Sequence, residues 1–497
     1  MMPQNRGGRR PGAEDRGLTG LPDRAPAGRR RPSSTTTGAA LPDDLVALAA
    51  ASFRYFAEEV NPGNGLIPDS TRRGAPSSIA AVGFALSAYP VAVERGFLPR
   101  GKAAALALAA LDWFRRSPQG EAPDATGYRG FYYHFLDMKS GRRAGRCELS
   151  TMDSAILLAG ALTAAAYFDA DRPEERDLRE HAEALYRRVD WRWAMAGTDA
   201  VPLGWSPEDG FLPYQWRGYD EALILYVLGL GSPTHPLPRA SYAAWTAGFR
   251  WRRIYGQELV YAGPLFIHQF SQIWLDLAGV QDDFMRGKGI DYFENTRRAV
   301  LVQQEYAIRN PRRFAGYGEH CWGLTASDGP GPAVRRIGGV MRRFYPYHAR
   351  GVPFGLDDGT VAPWAAVASL PFAPQIVLPT IGTLHRTVPE ALTGYGFLNS
   401  FNRTFPNAAA RRGRNAGWVS PDHYGLSQGP MVLMIENYLS GLIWRLARRS
   451  PFLVAGLERA GFRGGWLGSP STRPGRRAPP ARPRRAGRRR DLLPSAR

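Results

Sequence analysis

Thr151-Met-Asp-Ser-Ala-Ile-Leu-Leu-Ala-Gly-Ala-Leu-Thr-Ala-Ala-Ala-Tyr-Phe-Asp169 is the stretch on which the fold turns. Ile156 to Phe168 is uncharged and alanine-rich, and Asp153 and Asp169 bound it. It is shorter than the roughly 18 apolar residues that mark a membrane span. It therefore reads as a helix buried in a large core, with Ser150 or Thr151 as its cap and Asp153 in the first turn, where the helix dipole favours an anion.

Apolar segments of helical length recur on both sides of it, while alternating strand patterns are scarce. Helices are expected over 43–58, 77–96, 100–116, 173–189, 221–230, 242–254, 265–277, 287–309, 360–370, 376–392, 431–448 and 451–460. A serine caps the second of these, Pro90 kinks it, and Pro430 is suited to begin the long helix near the end. The connections differ in kind. Some are tight turns, but 127–150, 204–220, 314–358 and 397–429 are long and rich in glycine, aromatics, histidine and acids. Long structured loops inside a compact domain usually carry function. About a dozen helices joined as hairpins, with decorated loops gathered at one end, predict an all-α toroid. A helical bundle is the structural alternative, and no repeat of 20–50 residues points to a solenoid.

The net charge of +20 invites a nucleic-acid reading until it is located. Residues 1–40 hold eight arginines against Glu14, Asp15 and Asp23, and residues 469–497 hold ten against Asp491. Most of the excess sits in these proline-, glycine- and arginine-rich ends, which have too little apolar surface to offset the entropy of ordering. Residues 1–40 and 468–497 are thus expected to be disordered tails around a single domain over 41–467, with no specific nucleic-acid partner. The N-terminus has arginines but no apolar segment after them, so a cytoplasmic location is expected. Two cysteines, Cys147 and Cys321, imply no disulfide framework, and no metal-ligand spacing occurs.

Four loop-to-helix junctions could carry chemistry. The first holds Asp137, Glu148 and Asp153; Asp153 has a ready role beside the cap, whereas Glu148 has none. The second, Gly204 to Glu221, sets Trp205, Tyr214, Trp216 and Tyr219 just before Glu221, which otherwise serves as a helix-start carboxylate. Sugar rings have apolar faces and hydroxyl edges, so aromatic platforms beside carboxylates match both. The third includes His268 and Gln269, then Glu319, His320, Trp322 and Asp328, with Asp357 and Asp358 before the next helix. His268 reads equally as a core histidine, and one of the two aspartates as a cap. The fourth holds Asp422, Tyr424 and Gln428, leading to Glu436, which needs a partner if buried. Glycosidic cleavage requires one protonated carboxyl at the leaving oxygen and one carboxylate across from it, roughly 6.5–9.5 Å apart for inversion or about 5–5.5 Å for retention.

Six stretches together resemble a known family. They are AAVGFALSAYPVAVERG (80–96), GFYYHFLDMKSGRRAGRCELSTMD (130–153), GFLPYQWRGYDEALILYVLGLGSPTHPLP (210–238), AGPLFIHQFSQIW (262–274), GYGEHCWGLTASDGPGP (316–332) and QGPMVLMIENYLSGLIW (428–444). They are similar to the bacterial glucoamylase-like family, which includes endo-β-1,2-glucanases. The resemblance implies an (α/α)6 toroid, no cofactor, and inverting hydrolysis of a β-linked glucan. It also implies Glu221 as general acid, Glu148, Asp137 and Asp153 as pocket carboxylates, and Glu319, His320 and Trp322 in sugar subsites. One departure bears on mechanism: where relatives are expected to read Asp-Gln-Gly-Pro, this chain has Ser427-Gln-Gly-Pro430. Serine cannot act as the base an aspartate would be, so either Asp422, Asp357 or Asp358 assumes the role, or a proton relays through waters, or activity is impaired. Transglycosylation, phosphorolysis and glycan binding without turnover are the rival functions.

Overall fold

The computed structural model describes residues 42–406 and 417–468, so the two expected tails, 1–40 and 468–497, lie outside the described residues except for Gly468. Fifteen α-helices are present among them. In order they are α1 (Pro42–Glu58), α2 (Ile79–Glu94), α3 (Arg100–Arg116), α4 (Thr151–Tyr167), α5 (Pro173–Arg188), α6 (Leu223–Gly231), α7 (Arg239–Thr246) and α8 (Leu265–Gln269). Then come α9 (Asp283–Lys288), α10 (Tyr292–Arg309), α11 (Pro363–Val367), α12 (Pro374–Thr387), α13 (Gly425–Leu439), α14 (Leu442–Arg448) and α15 (Pro451–Ala460).

Several expected segments divide differently. The 242–254 segment stops at Thr246, and Trp251–Ile254 instead forms a hairpin with Gln257–Val260. Gly289 and Gly441, both at φ 70°, split the 287–309 and 431–448 segments into helix pairs, because that conformation suits glycine and ends a helix. Pro430 does not begin its helix but lies inside α13. The start is set earlier, where the Gly425 N–H donates to the Asp69 carbonyl (3.0 Å) and Tyr424 bridges to Ser70.

The all-helical reading also leaves out seventeen short strands, in seven small antiparallel sheets, among the described residues. Most are two residues long, too brief for alternation to register in sequence. The largest sheet has five strands, in the order Gly127–Tyr128, Phe131–Tyr133, Leu149–Ser150, Gly204–Ser206 and Gly210–Phe211. Ser150 ends its central strand and caps α4, accepting the Asp153 N–H at 3.1 Å. The sheet is thereby fastened to the head of a buried helix.

Helices α2, α4, α6 and α13 are buried along nearly their whole length, as their predominantly apolar sequences favour. α2 lies between α4 and α13, and α4 also meets α6. The Ile224 N–H of α6 donates to Ser271 after α8 (3.0 Å), Gln269 of α8 donates to the Ala365 carbonyl of α11 (2.8 Å), and α11 packs on α13. Amphipathic helices back them: α1 lies on α13, α5 on α3 and α4, α15 on α6, α10 on α8, and α12 on α11. The α2–α4 crossing is unusually close. A Cβ on Gly160 would stand 2.1 Å from the Gly83 carbonyl oxygen, and one on Gly83 would stand 2.5 Å from that of Ile156. Between the buried helices, Trp274 stacks on Phe84 (5.7 Å, 10°) and donates to Ser87 at 2.9 Å.

The loop from Ala326 to Thr360 is organised by one wholly buried ion pair, Arg350–Asp358 at 2.8 Å. Arg350 also donates to the carbonyls of Ser327 (2.7 Å) and Tyr345 (3.1 Å), so one guanidinium ties both ends of the loop. Cys147 and Cys321 are both free thiols. No helix among the described residues is long and apolar enough to cross a membrane.

Candidate active site

The five-stranded sheet delivers the first group of side chains. His134 follows the strand Phe131–Tyr133, Glu148 precedes Leu149–Ser150, and the His134 N–H donates to the Glu148 carbonyl at 2.9 Å. The His134 ring stacks on Phe135 (4.0 Å, 14°) and is gripped by two carboxylates. Nδ1 lies 2.9 Å from Glu148 Oε1 and Nε2 lies 3.6 Å from Asp153 Oδ2. Burial opposes charge on this ring, but Asp153, Glu148 and Asp69 outweigh it and raise its pKa to about 9. His134 is therefore an imidazolium at neutral pH. Burial would likewise lift the Glu148 carboxyl, yet the His134 hydrogen bond and charge hold it below its usual range.

Glu221 stands just before α6, its backbone carbonyl accepting the Ser271 hydroxyl at 2.8 Å. No side chain caps α6; the neighbouring Asp220 accepts the Ala222 N–H at 3.1 Å and the Trp245 Nε1–H at 2.8 Å. Burial, then the charges of Asp220 and Asp153, push Glu221 up to about 8, and burial pushes Asp220 up to about 7. Glu221 is thus pushed toward its protonated form at neutral pH while Glu148 is held toward its ionised form, and Asp153 bears on both Glu221 and His134. Environment has separated two chemically identical groups, as acid–base chemistry requires.

A second group faces them. Asp328 accepts the Ser420 hydroxyl (3.2 Å) and the Gly329 N–H (3.0 Å). Asp422 accepts Thr71 (3.3 Å) and both Nε and Nη2 of Arg72 (3.3 and 3.2 Å). Tyr347, 40% exposed, lies 6.0 Å from Tyr424, and its hydroxyl feels the charges of Asp69, Asp153 and Asp328 together. It therefore stands between the two groups. Asp69, pushed up to about 6 mainly by burial, also borders both, since His134, Asp153 and Arg72 all bear on it.

Of the residues singled out in the sequence, Glu221, Glu148, Asp153, Asp328, Asp422 and Tyr424 come together. Others are occupied elsewhere. Asp137 closes an exposed turn, accepting the Lys139 and Ser140 N–H groups and the Ser140 hydroxyl. Asp358 is consumed by Arg350, Asp357 by Tyr306 and Tyr317, and Glu436 by Arg95 (2.7 Å) and Ser440 (2.5 Å). Trp322 is fully buried and donates to Thr380; Gln269 donates to Ala365 and Ser369, and Gln428 to Phe397. His268 contacts the Ala262 carbonyl (3.1 Å), lowered to about 4 by burial, with Tyr219 packed on it at 5.0 Å. Trp205 belongs to a cluster with Tyr128 and Trp193, Trp216 donates to Thr151, and Tyr214 is 71% exposed. Glu319 is exposed, and the buried Nδ1 of His320 has no hydrogen-bond partner among the described residues. Ser427 is buried and accepts the Asn399 side-chain N–H at 2.6 Å; Asn399 in turn accepts the Asp328 N–H.

Sequence reasoning passed over Asp69, Arg72, His134 and Tyr347. His134 stood inside a quoted stretch, and its spacing from Glu148 was the available signal. Nothing in sequence brings 69–72 to 422–424.

A helix-rich domain with carboxyls of opposed protonation at the heads of its buried helices defines the class of this protein. The description "Putative glucoamylase" belongs to the family whose model matches residues 213–451. A crystal structure of a putative glucoamylase from Bacteroides uniformis is 31% identical, with a TM-score of 0.75 over 86% of this chain and 99% of that one. The chain belongs to this family. The endo-β-1,2-glucanase from Chitinophaga pinensis, solved with sophorotriose and glucose, is 25% identical, with a TM-score of 0.74 over 86% of this chain and 99% of that one. An exo β-1,2-glucooligosaccharide sophorohydrolase of Parabacteroides distasonis is 28% identical over 444 residues, 82% of this chain. The chain spans 56% of the length of that curated relative.

Proposed function

We propose that the protein is a glycoside hydrolase acting on β-1,2-linked glucan or its oligosaccharides, on an (α/α)6 toroid that forms one domain over about 41–467. The observation that carries the reading is Glu221, its carboxyl pushed up to about 8 mainly by burial, in the field of Asp153, whose carboxylate lies 3.6 Å from the His134 ring that also contacts Glu148 at 2.9 Å. The relatives' names supply the linkage, and the contacts that run from α2 to α4 and α6, through Ser271 after α8 and Gln269 of α8 to α11, and by α13 back to α2 support the toroid. Glu221 gives its proton to the leaving glycosidic oxygen, and a carboxylate of the opposite group takes a proton from the attacking water, which inverts the anomeric centre. Asp422 already has its charge matched by Arg72, whereas Asp328 has only a hydroxyl and an amide as partners, so Asp328 is the better base. Glu148, Asp153 and Asp422 hold sugar hydroxyls, and Tyr347 with Tyr424 supplies an aromatic face.

A panel of linkage-defined glucans followed by NMR tests this. Hydrolysis of β-1,2-glucan with release of the α-anomer is expected. Asp328→Asn should lower turnover by about 10²–10⁴ and Asp422→Asn mainly raise KM. The reverse pattern would move the base to Asp422. Oligosaccharide binding without turnover would favour a glycan-binding protein, the reading that Ser427 suggests.

A further inference from the structure

Between Asp328 and Tyr347 the chain leaves the site and returns through a hairpin, Ala333–Ile337 paired with Val340–Phe344. Residues 329–356 contain five arginines and no aspartate or glutamate. Arg350 is neutralised by Asp358; among the described residues no carboxylate lies within ion-pair distance of Arg335, Arg336, Arg342 or Arg343. Arg335 stands directly opposite Arg342, a like-charge pairing that disfavours the hairpin. Arg342 escapes inward, donating to the Arg312 carbonyl (3.0 Å) and covering the Phe314 ring.

The other face of the hairpin is wholly exposed and has a regular composition. Val334 is opposite Arg343 and Arg336 is opposite Met341, so each cross-strand pair joins one apolar side chain to one arginine. On this face Val334 is 49% exposed and Met341 63%; Val340, paired with Ile337 on the opposite face, is also uncovered at the tip. A surface serving only solubility would not leave three large apolar groups uncovered, and one reading only a polyanion would not require them. Arginines whose stems run beside apolar side chains suit a boundary where the tip is apolar and the flank anionic.

We infer that the 333–344 hairpin docks on an anionic bilayer surface, Val334 and Met341 of its exposed face entering the interface beside Val340 at the tip, while Arg336 and Arg343 meet lipid phosphates. The occupant follows from charge complementarity with the unpaired arginines and from the apolar tip. Docking by this hairpin would also hold the loop carrying Asp328 and Tyr347 near the membrane surface.

The test uses the full chain with phosphatidylcholine vesicles, with and without phosphatidylglycerol, read by co-sedimentation. Binding is expected only to the anionic vesicles and should weaken with salt. R336E/R343E should weaken it by roughly tenfold or more. V334S/M341S should also weaken it, and M341W should blue-shift on binding; unchanged circular dichroism in each variant checks the fold. Three results would overturn the inference: no binding to anionic vesicles, equal binding by both variants (which would assign it to the arginine-rich ends of the chain), or binding reduced by R336E/R343E but not by V334S/M341S with no shift in M341W. The last would mark a polyanion site.

Discussion

Glu221→Gln removes the titratable proton of the proposed acid with little change of shape, and the structure predicts opposite effects on activity and stability. In the folded protein the Glu221 pKa is pushed up from 4.5 to about 8. Between those values the unfolded chain has released this proton while the folded chain retains it, so this group's contribution to stability falls as pH rises through the window. At about 1.36 kcal/mol per pH unit, retaining the proton costs roughly 3 kcal/mol at pH 7 and at most about 5 kcal/mol above pH 8. The upper figure is a ceiling, because Asp220 at about 7 is coupled to Glu221 and shares the charge. Glutamine has no such cost. The variant should therefore match wild type in urea unfolding near pH 4.5 and exceed it by a few kcal/mol at pH 8. Turnover should fall about 10²–10⁴. Parallel stability–pH curves for the two proteins, or near-normal turnover in the variant, would refute the claim that the half-buried Glu221 is a neutral acid.

The other predictions concern the groups that position the site. His134, raised to about 9, contributes stability that is fully present below pH 6.5 and is lost as pH rises through 9. His134→Gln should therefore destabilise the protein by roughly 3 kcal/mol at pH 6 and far less near pH 10, with nitrogen-15 NMR of wild type reading an imidazolium at pH 8. Arg350→Met strands the buried Asp358 carboxylate and should cost about 3–5 kcal/mol in thermal unfolding. The double variant with Asp358→Leu should recover part of that loss, and failure to recover would place the cost elsewhere in the loop.

Much of the framework was legible in the chain because helical signals are local. The Ala- and Leu-rich run of α4, the serine caps at 78 and 150, and the proline at the start of α15 each act within one turn of helix. Glu221 was legible as well, since its odd place before an apolar segment can be seen without knowing its neighbours. The strands of the central sheet were not, because two-residue ladders are set by partners far along the chain. Asp358 and Glu436 show the same limit from the other side. Each is an acid near glycines and aromatics, and only the approach of Arg350 or Arg95 decides that it is a core ion pair.

The sequence by itself determined the helix-rich class, the family, and the acids from which a site could be built. Tertiary structure alone decided which of them meet. His134 joins Glu148 to Asp153 across a sheet, and Arg72 reaches Asp422 across 350 residues of chain. A protonation state depends on burial and on charges within a few ångströms, and those distances exist only after the chain has closed on itself. The same glutamate chemistry is therefore an acid at 221 and a carboxylate at 148.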